Sequence, residues 1–163
     1  MCDSQPTRRE LLIQAGLATS ALAVAGALVG RDLHEADAAG PSVPAVEVLP
    51  GLRIYPRDAW GADLPPKGPI ASEVPKYLLV HHTASPNNYA SARSLIRTTY
   101  LWHTSRDPSK GWPDVAYEFF IGRDGDVWEG RQGALAGPVR ADATGGNQGF
   151  AQLICLLGDF TSV

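Results

Sequence analysis

The sequence contains few cysteines and histidines, since its 163 residues include two and four of them respectively. Cys2 precedes an apolar run near the N-terminus. If that segment is removed on export, Cys155 remains alone and an intramolecular disulfide is excluded. Cys155 lies in the apolar run Leu153-Ile154-Cys155-Leu156-Leu157 and is predicted to be a small buried core residue.

An excess of positive charge is also absent, because the sequence has 14 basic and 17 acidic residues and its formal net charge is −3. Residues 1–38 contain three of the basic and five of the acidic residues, so their removal leaves 11 basic and 12 acidic residues. A nucleic-acid-binding domain is expected to carry a basic stripe. We therefore expect no nucleic acid partner.

The N-terminal 38 residues have the features of an export signal. The segment Thr7-Arg8-Arg9-Glu10-Leu11-Leu12 has the paired arginines and following leucines of a twin-arginine signal, and an uncharged run extends to Gly30. Ala36-Asp37-Ala38 resembles a cleavage site. This predicts a mature chain without stable membrane insertion, located in the periplasm, the cell wall or outside the cell. An uncleaved N-terminal anchor is the alternative, because the run is nearly long enough to span a bilayer.

The remainder of the chain is long enough for one domain and too short for two. Residues 39–51 are rich in proline and small residues and are predicted to be an extended linker, so the domain is expected to cover residues 52–163. Within its first segment, Trp60 is predicted to be an aromatic anchor beneath a loop.

The apolar run from Lys76 to His82 is predicted to be a buried β-strand. Side chains alternate along a strand, so Tyr77, Leu79 and His81 should share one face while His82 lies on the other. The two histidines therefore cannot bind one metal. Taken without other information, a histidine at a strand end is more often structural than metal-bound.

The segment from Ser91 to Thr104 has apolar residues at helical spacing and is predicted to be a helix that covers the sheet, with Ser91 or Asn88 as its N-cap. Arg93 and Arg97 are expected on its polar side.

Residues 116–129 are predicted to form a β-hairpin with a two-residue turn at Asp124-Gly125. Tyr117, Phe119 and Ile121 are expected to share one face. Residues 141–147 form a loop of small residues that either lines a groove or is a passive connection. Residues 150–160 are predicted to contain a central strand, and the order of elements predicts an α/β domain with a mixed central sheet.

Two segments carry a family resemblance: Leu78 to Ala84, which is LLVHHTA, and Gly111 to Arg131, which is GWPDVAYEFFIGRDGDVWEGR. They resemble the zinc-dependent N-acetylmuramoyl-L-alanine amidase family, which includes the peptidoglycan recognition proteins and the phage lysozyme-type amidases. The resemblance covers residues 54–161 and implies that fold, with helices flanking a mixed sheet. The family's later segment, which reads like GHRD followed by CPG and supplies a further His and Cys ligand, does not occur before Val163. The resemblance thus implies a C-terminally incomplete domain with an exposed apolar sheet face.

The resemblance also implies roles for individual residues. His81 matches the first zinc ligand, and Tyr117 matches the tyrosine beside the zinc in catalytic members. Trp112, in the Gly-Trp motif, and Asn147, in the small-residue loop, are the candidate substrate-binding residues. Leu135 stands where many members have a histidine.

His103 matches a common family histidine that is not a usual ligand, and it is predicted to be structural.

The function implied by the resemblance is hydrolysis of the amide that joins N-acetylmuramic acid to the L-Ala of the stem peptide in peptidoglycan. In such enzymes a catalytic zinc lowers the pKa of its bound water from ~15.7 to about 7, and a nearby donor stabilises the oxyanion. Because His81 is the one ligand assigned, weak zinc binding is predicted. Two alternatives stay open: a metal-free peptidoglycan-binding module and a nonfunctional truncated product.

Overall fold

The computed structural model of the chain describes residues 43–107, 110–142 and 150–161. The predicted export signal and Asn147 lie outside these residues. The described part forms one six-stranded mixed sheet in the order β1-β2-β5-β4-β6-β3, as the sequence predicts. The strands are β1 Val46–Leu49, β2 Leu52–Tyr55, β3 Tyr77–His82, β4 Phe119–Ile121, β5 Val127–Glu129 and β6 Ala151–Leu156, and the helices are α1 Asp58–Gly61 and α2 Ala92–His103.

One end of the sheet, β4-β6-β3, is parallel, whereas the rest contains two antiparallel pairs that are joined by the parallel pairing of β2 with β5. Strand β6 lies between β4 and β3 and runs parallel to both, so the prediction of a central strand at residues 150–160 is confirmed. Strands β4 and β5 pair antiparallel, as do β1 and β2. The predicted linker is therefore wrong in part, because residues 46–49 form β1, a strand that pairs with β2.

Strand β3 lies at the edge of the sheet, and the prediction that it is buried is wrong. Leu78 is 58% exposed and Val80 is 59% exposed, because these alternate side chains share a sheet face that the described residues leave uncovered here. The opposite face is better covered: Leu79 packs against the core. The expected exposed apolar sheet face is present in the described residues.

Helix α2 covers the buried face of the sheet and begins as predicted. The Ser91 hydroxyl accepts a hydrogen bond from the Ser94 N–H at 3.1 Å, which identifies Ser91 as the N-cap. Ile96, Tyr100 and His103 are buried along one side of the helix. The expectation for Arg97 is wrong, because its guanidinium is buried and donates to both carboxylate oxygens of Asp63 at 2.6 and 2.7 Å.

The hairpin between β4 and β5 is present, but its turn has three residues and not two. Gly122 N–H donates to the Asp126 carbonyl at 2.8 Å, and Gly125 N–H donates to the Gly122 carbonyl at 3.0 Å. The loop is thus Arg123-Asp124-Gly125, with Gly125 at φ 82°. A type I turn followed by a glycine in the left-handed region is the usual geometry of a three-residue hairpin loop.

Candidate functional site

Tyr117 lies directly before β4 at the centre of an aromatic cluster. It is 4% exposed. Its ring centroid lies 5.8 Å from that of His81, 5.7 Å from that of His103 and 5.6 Å from that of Phe120. The contact with Phe120 shows that the predicted face shared by Tyr117, Phe119 and Ile121 is wrong, because β4 begins at Phe119 and the strand alternation does not extend back to Tyr117.

The backbone that carries Tyr117 is held by residues distant in sequence. Arg131 donates its Nη1 to the Val115 carbonyl at 3.0 Å and its backbone N–H to the Tyr117 carbonyl at 2.9 Å. The N–H between these groups, that of Ala116, donates to His103 Nδ1 at 3.1 Å. Every one of these bonds is buried or part of the core, so the position of Tyr117 is fixed by the fold.

Two buried ion pairs hold the residues around Tyr117 in place. Arg57 Nη1 lies 3.0 Å from Asp114 Oδ1, and both side chains are almost completely buried. Arg131 Nη2 donates to Asp142 Oδ2 at 2.6 Å. Burial lowers the pKa of Arg57 and raises the pKa of Asp114, although each partner opposes that shift in the other. Removing one member of such a pair leaves a buried charge without its partner, which destabilises the fold.

Trp60 anchors the neighbouring loop, as predicted. It is fully buried, and its indole Nε1 donates to the Glu129 carbonyl at 2.6 Å. The guanidinium carbon of Arg57 lies 4.4 Å from the centroid of its ring. The start of the domain is therefore tied to the end of β5.

The two neighbouring histidines of β3 have different surroundings, as strand alternation predicts. His81 contacts the Tyr117 ring and stands opposite Cys155 in the parallel β3–β6 register. His82 instead accepts a hydrogen bond at Nδ1 from the Phe160 N–H at 3.1 Å, and this nitrogen lies 3.6 Å from Asp159 Oδ1. His81 is thus the histidine directed at the tyrosine.

The described residues do not form a zinc site. They contain no group of three or more His, Cys, Asp or Glu side chains arranged to hold a metal ion. Cys155 is fully buried as predicted, and burial raises the pKa of its thiol to about 12 despite a hydrogen bond from the Tyr117 side chain. Zinc binds the thiolate, so this buried thiol beside His81 would have to lose its proton before it could act as a ligand.

A cavity of about 170 Å³ opens between α2 and the carboxyl end of β3. Leu95, Thr99 and His103 of α2 line it together with Tyr117. Its lining combines hydroxyl groups with aromatic and aliphatic surface, and it is Thr83, Ser85, Leu95, Thr98, Thr99, Trp102, His103 and Tyr117. Such a lining suits a ligand with both polar and apolar groups.

His103 is buried and neutral. Burial lowers its pKa to about 3, and the nearby cations Lys110 and Arg131 act in the same direction. Its hydrogen bond to Ala116 agrees with the predicted structural role. His103 also lines the cavity, which was not predicted, although its helical spacing from Leu95 and Thr99 on α2 indicates that these residues share a surface.

Trp112 packs on the side of His103, with ring centroids 4.8 Å apart. Lys110 Nζ lies 4.6 Å from the Trp112 ring and 4.2 Å from the Trp102 ring. Trp102 is half-exposed and reaches the cavity, whereas Trp112 is half-buried behind His103. A direct substrate contact of Trp112 stays a prediction, as does that of Asn147.

Glu118 is a buried carboxyl group that the sequence analysis did not single out. Its Oε2 accepts the Leu153 N–H at 2.8 Å, next to a second bond from the Glu118 N–H to the Leu153 carbonyl. Burial raises the pKa of Glu118 to about 7, and the nearby carboxylate of Glu73 adds to the rise. No local pattern marks this residue, because its partner lies 35 residues away on β6.

No helix in the described part of the chain has the length and apolar character needed to cross a membrane.

Known proteins are similar to this chain in sequence and in fold. The model of the N-acetylmuramoyl-L-alanine amidase family (Amidase_2) matches residues 71–162. Peptidoglycan-recognition protein LE of Drosophila melanogaster is 38% identical over 81 residues, which are 48% of this chain and 23% of that protein. The N-acetylmuramoyl-L-alanine amidase of Homo sapiens is 33% identical over 116 residues, which are 67% of this chain and 19% of that protein.

Two solved structures have the same fold. The crystal structure of human PGRP-IBETAC in complex with glycosamyl muramyl pentapeptide has a TM-score of 0.53 and 29% identity, covering 68% of this chain and 63% of that one. Drosophila PGRP-LB has the same TM-score of 0.53, 29% identity and the same coverage of 68% and 63%. The chain therefore spans about a fifth of the length of the two curated relatives and less than two thirds of these solved structures.

Proposed function

The chain belongs to the N-acetylmuramoyl-L-alanine amidase family, and we propose that its domain binds the muramyl peptide unit of peptidoglycan in the cavity beside Tyr117. The observation that carries this proposal is the cavity itself, which lies between α2 and the end of β3 and is walled by His103 and Tyr117. Both segments that carry the family resemblance contribute to it, Thr83 from the first and Tyr117 from the second.

The chemistry of the lining fits such a ligand. A muramyl peptide carries amide carbonyls, sugar hydroxyls and small apolar groups such as methyls. Thr83, Ser85 and Thr99 provide hydroxyl oxygens, while Leu95 and the half-exposed ring of Trp102 provide apolar surface. The Thr99 hydroxyl donates to the Leu95 carbonyl at 2.8 Å, and those of Thr83 and Ser85 bond each other at 2.6 Å, so a ligand would meet them chiefly as acceptors. Human PGRP-IBETAC, which shares the fold, is described in complex with glycosamyl muramyl pentapeptide, which supports the same ligand class here.

Amidase activity is the second candidate, and the proximity of His81 to Tyr117 favours it, because their ring centroids are 5.8 Å apart. His81 is the one residue here that we assign as a zinc ligand, and the described residues supply no complete ligand set. Hydrolysis therefore requires ligands from outside the described residues. In a chain extended by a segment with the family's His and Cys, His81→Ala should abolish zinc binding, and Tyr117→Phe should lower turnover about 100-fold.

Export is a further part of the proposed function. The paired arginines Arg8 and Arg9, the apolar run that follows and the Ala36-Asp37-Ala38 site support a twin-arginine signal. Export would place the domain where peptidoglycan is accessible.

The binding proposal is tested by filling the cavity. Thr98 lines the cavity and is exposed, so Thr98→Trp should block it without disturbing the core. By isothermal titration calorimetry, this variant should bind a synthetic muramyl pentapeptide at least about tenfold more weakly than the unsubstituted chain. The matched control is Leu101→Trp, on the same helix at an exposed position that does not line the cavity. Equal affinities for all three proteins would refute binding in this cavity.

A further inference from the structure

We propose that residues 150–153, the amino end of β6 with the residue before it, form a proton-controlled latch. The latch is closed while the Glu118 carboxyl group carries a proton, and it opens more readily once that group ionises. The inference concerns a conformational device of the fold, and it does not depend on the identity of the ligand.

The latch begins at a residue with a strained backbone. Phe150 has φ 58°, in the left-handed region that residues other than glycine rarely adopt. Such a conformation is costly and persists where the surrounding contacts impose it. Burial of the ring does little to offset this cost, because the side chain is 48% exposed. The hydrogen bonds around Phe150 therefore decide whether the latch stays closed.

One set of these bonds comes from the β3 side. The Phe150 carbonyl accepts the N–H groups of Lys76 and Tyr77 at 2.6 and 3.1 Å. The Phe150 N–H donates to Glu73 Oε1 at 2.7 Å. A carboxylate that precedes β3 thus takes up the first N–H of the latch.

The second set comes from the β4 side. The Leu153 N–H donates to Glu118 Oε2 at 2.8 Å, and the Leu153 carbonyl accepts the Glu118 N–H at 3.1 Å. Glu118 directly precedes β4, which begins at Phe119. The last residue of the latch is therefore also held by a carboxyl group.

The two carboxyl groups differ in their access to water. Glu118 is 2% exposed, whereas Glu73 is half-buried. A carboxylate that ionises in the interior loses its hydration, and a hydrogen bond from a neutral N–H replaces it only in part. Glu118 is therefore the group whose charge disfavours the closed latch.

The charged groups that act on Glu118 have opposite effects. Arg131 favours the ionised carboxylate, but its guanidinium is already paired with Asp142 at 2.6 Å. Glu73 carries a like charge and opposes ionisation. Burial is the largest of these effects, and it raises the pKa of Glu118 to about 7.

The strands next to Glu118 contribute little charge. Strands β4 and β6 have no charged side chain, and Cys155 is their one titratable residue. At the end of β5, the Glu129 carboxylate accepts the N–H groups of Arg57 and Leu135 at 2.9 and 3.0 Å. Glu118 is thus the carboxyl group that changes its charge at the latch near neutral pH.

The direction of the effect follows from proton linkage. In the open latch the Glu118 carboxyl group meets water and has its ordinary pKa of 4.5, whereas in the closed latch its pKa is about 7. Opening releases a proton between these two values, so the opening equilibrium constant rises about tenfold for each pH unit. The rise over the whole interval is about 300-fold, and the constant is level below pH 4.5 and above pH 7.

Opening of the latch reaches the residue beside the cavity. The Glu118 N–H that bonds to β6 belongs to the same peptide unit as the Tyr117 carbonyl, which accepts the Arg131 N–H at 2.9 Å. This peptide unit is therefore held on both sides while the latch is closed. It loses its bond to β6 when the latch opens, so a more alkaline medium loosens the backbone that positions Tyr117.

Amide hydrogen exchange of the full chain, followed by NMR from pH 4 to pH 8, tests the latch. The protection of Phe150 and Leu153, corrected for the intrinsic exchange rate at each pH, should fall about 300-fold between pH 4.5 and pH 7. In Glu118→Gln, the protection of both amides should be independent of pH. Ile96, in the interior of α2, reports opening of the whole fold and should be better protected than both at every pH.

Two further variants serve as controls. Glu73→Gln retains an oxygen for the Phe150 N–H and removes the like charge, so the fall in protection should end at a lower pH. Asp124→Asn changes an exposed carboxylate at the hairpin turn and should match the unsubstituted chain. Carbon-13 NMR of the Glu118 carboxyl carbon gives a readout without substitution, with an expected titration midpoint near pH 7.

Three results would overturn the inference. Leu153 exchanging as slowly as Ile96 at every pH would show that residues 150–153 open with the whole fold. Protection that does not change with pH in the unsubstituted chain, or a Glu118 midpoint near its ordinary 4.5, would show that this carboxyl group does not control them. Each of these results leaves the proposed ligand site untouched, because that site is tested by the binding measurements.

Discussion

Replacing Glu118 by glutamine should stabilise the protein at neutral pH and have little effect at acidic pH. The carboxyl group is 2% exposed, and its Oε2 accepts the Leu153 N–H at 2.8 Å. Glutamine has nearly the same shape and retains a carbonyl oxygen at this position, so the hydrogen bond to β6 is kept. What the substitution removes is the ability to carry a buried negative charge.

The sign and size follow from the pKa. Burial raises the pKa of Glu118 from its ordinary value of 4.5 to about 7. Between these two values the folded protein retains a proton that the unfolded chain has lost, so stability falls as pH rises through this interval. A difference of this size corresponds to at most about 3 kcal/mol, since one pKa unit is equivalent to 1.36 kcal/mol. Above pH 7 the cost is fully present, and below pH 4.5 it is absent.

The assay is urea unfolding of both proteins at several pH values from 4 to 8. The difference in free energy of unfolding between Glu118→Gln and the unsubstituted chain should grow from near zero at pH 4 to as much as about 3 kcal/mol at pH 8. Asp124→Asn is the control, because that carboxylate is 86% exposed and its loss should change little. A Glu118→Gln difference that is the same at every pH would refute the reasoning.

Three other predictions concern export, association and metal. Arg8→Lys with Arg9→Lys should retain the precursor in the cytoplasm, as judged by cell fractionation, and unchanged export would count against a twin-arginine signal. The exposed apolar edge of β3 should cause concentration-dependent association in sedimentation velocity, and Leu78→Thr with Val80→Thr should reduce it; a monomer at every concentration would contradict this. Zinc added to the unsubstituted chain should bind well below one equivalent by atomic absorption after dialysis, and a stoichiometric, His81-dependent ion would show that the ligand set has been misjudged.

The elements whose pattern depends on local backbone geometry were predictable from the sequence. Helical spacing predicted α2, with Ser91 as one of two candidate N-caps, and strand alternation predicted the separate directions of His81 and His82. The edge position of β3 was not predictable in this way, because it depends on which strands pair with it across long separations in the sequence. The ion pair of Arg97 with Asp63 was missed for a similar reason, since its partner lies 34 residues away.

The candidate site, too, was predictable in part: some of its residues were identified from the sequence, and others depend on contacts between distant segments. The family resemblance implied that His81 and Tyr117 lie close together, and the structure places their rings in contact. The helical spacing of His103 from Leu95 and Thr99 indicates that they share a surface, whereas its bond to Ala116 spans 13 residues and is revealed by no local period. The raised pKa of Glu118 depends likewise on burial between strands.

The most direct test of the central claim is to map the muramyl peptide site by NMR. In a titration of the isotope-labelled chain with muramyl pentapeptide, the amide signals of Thr83, Thr99 and Tyr117 should shift, because these residues line the cavity. The signals of Arg53 and Asp124, which line a different groove at the hairpin tip, should not move. Shifts confined to that groove, or none at all at millimolar ligand, would contradict binding in the cavity beside Tyr117.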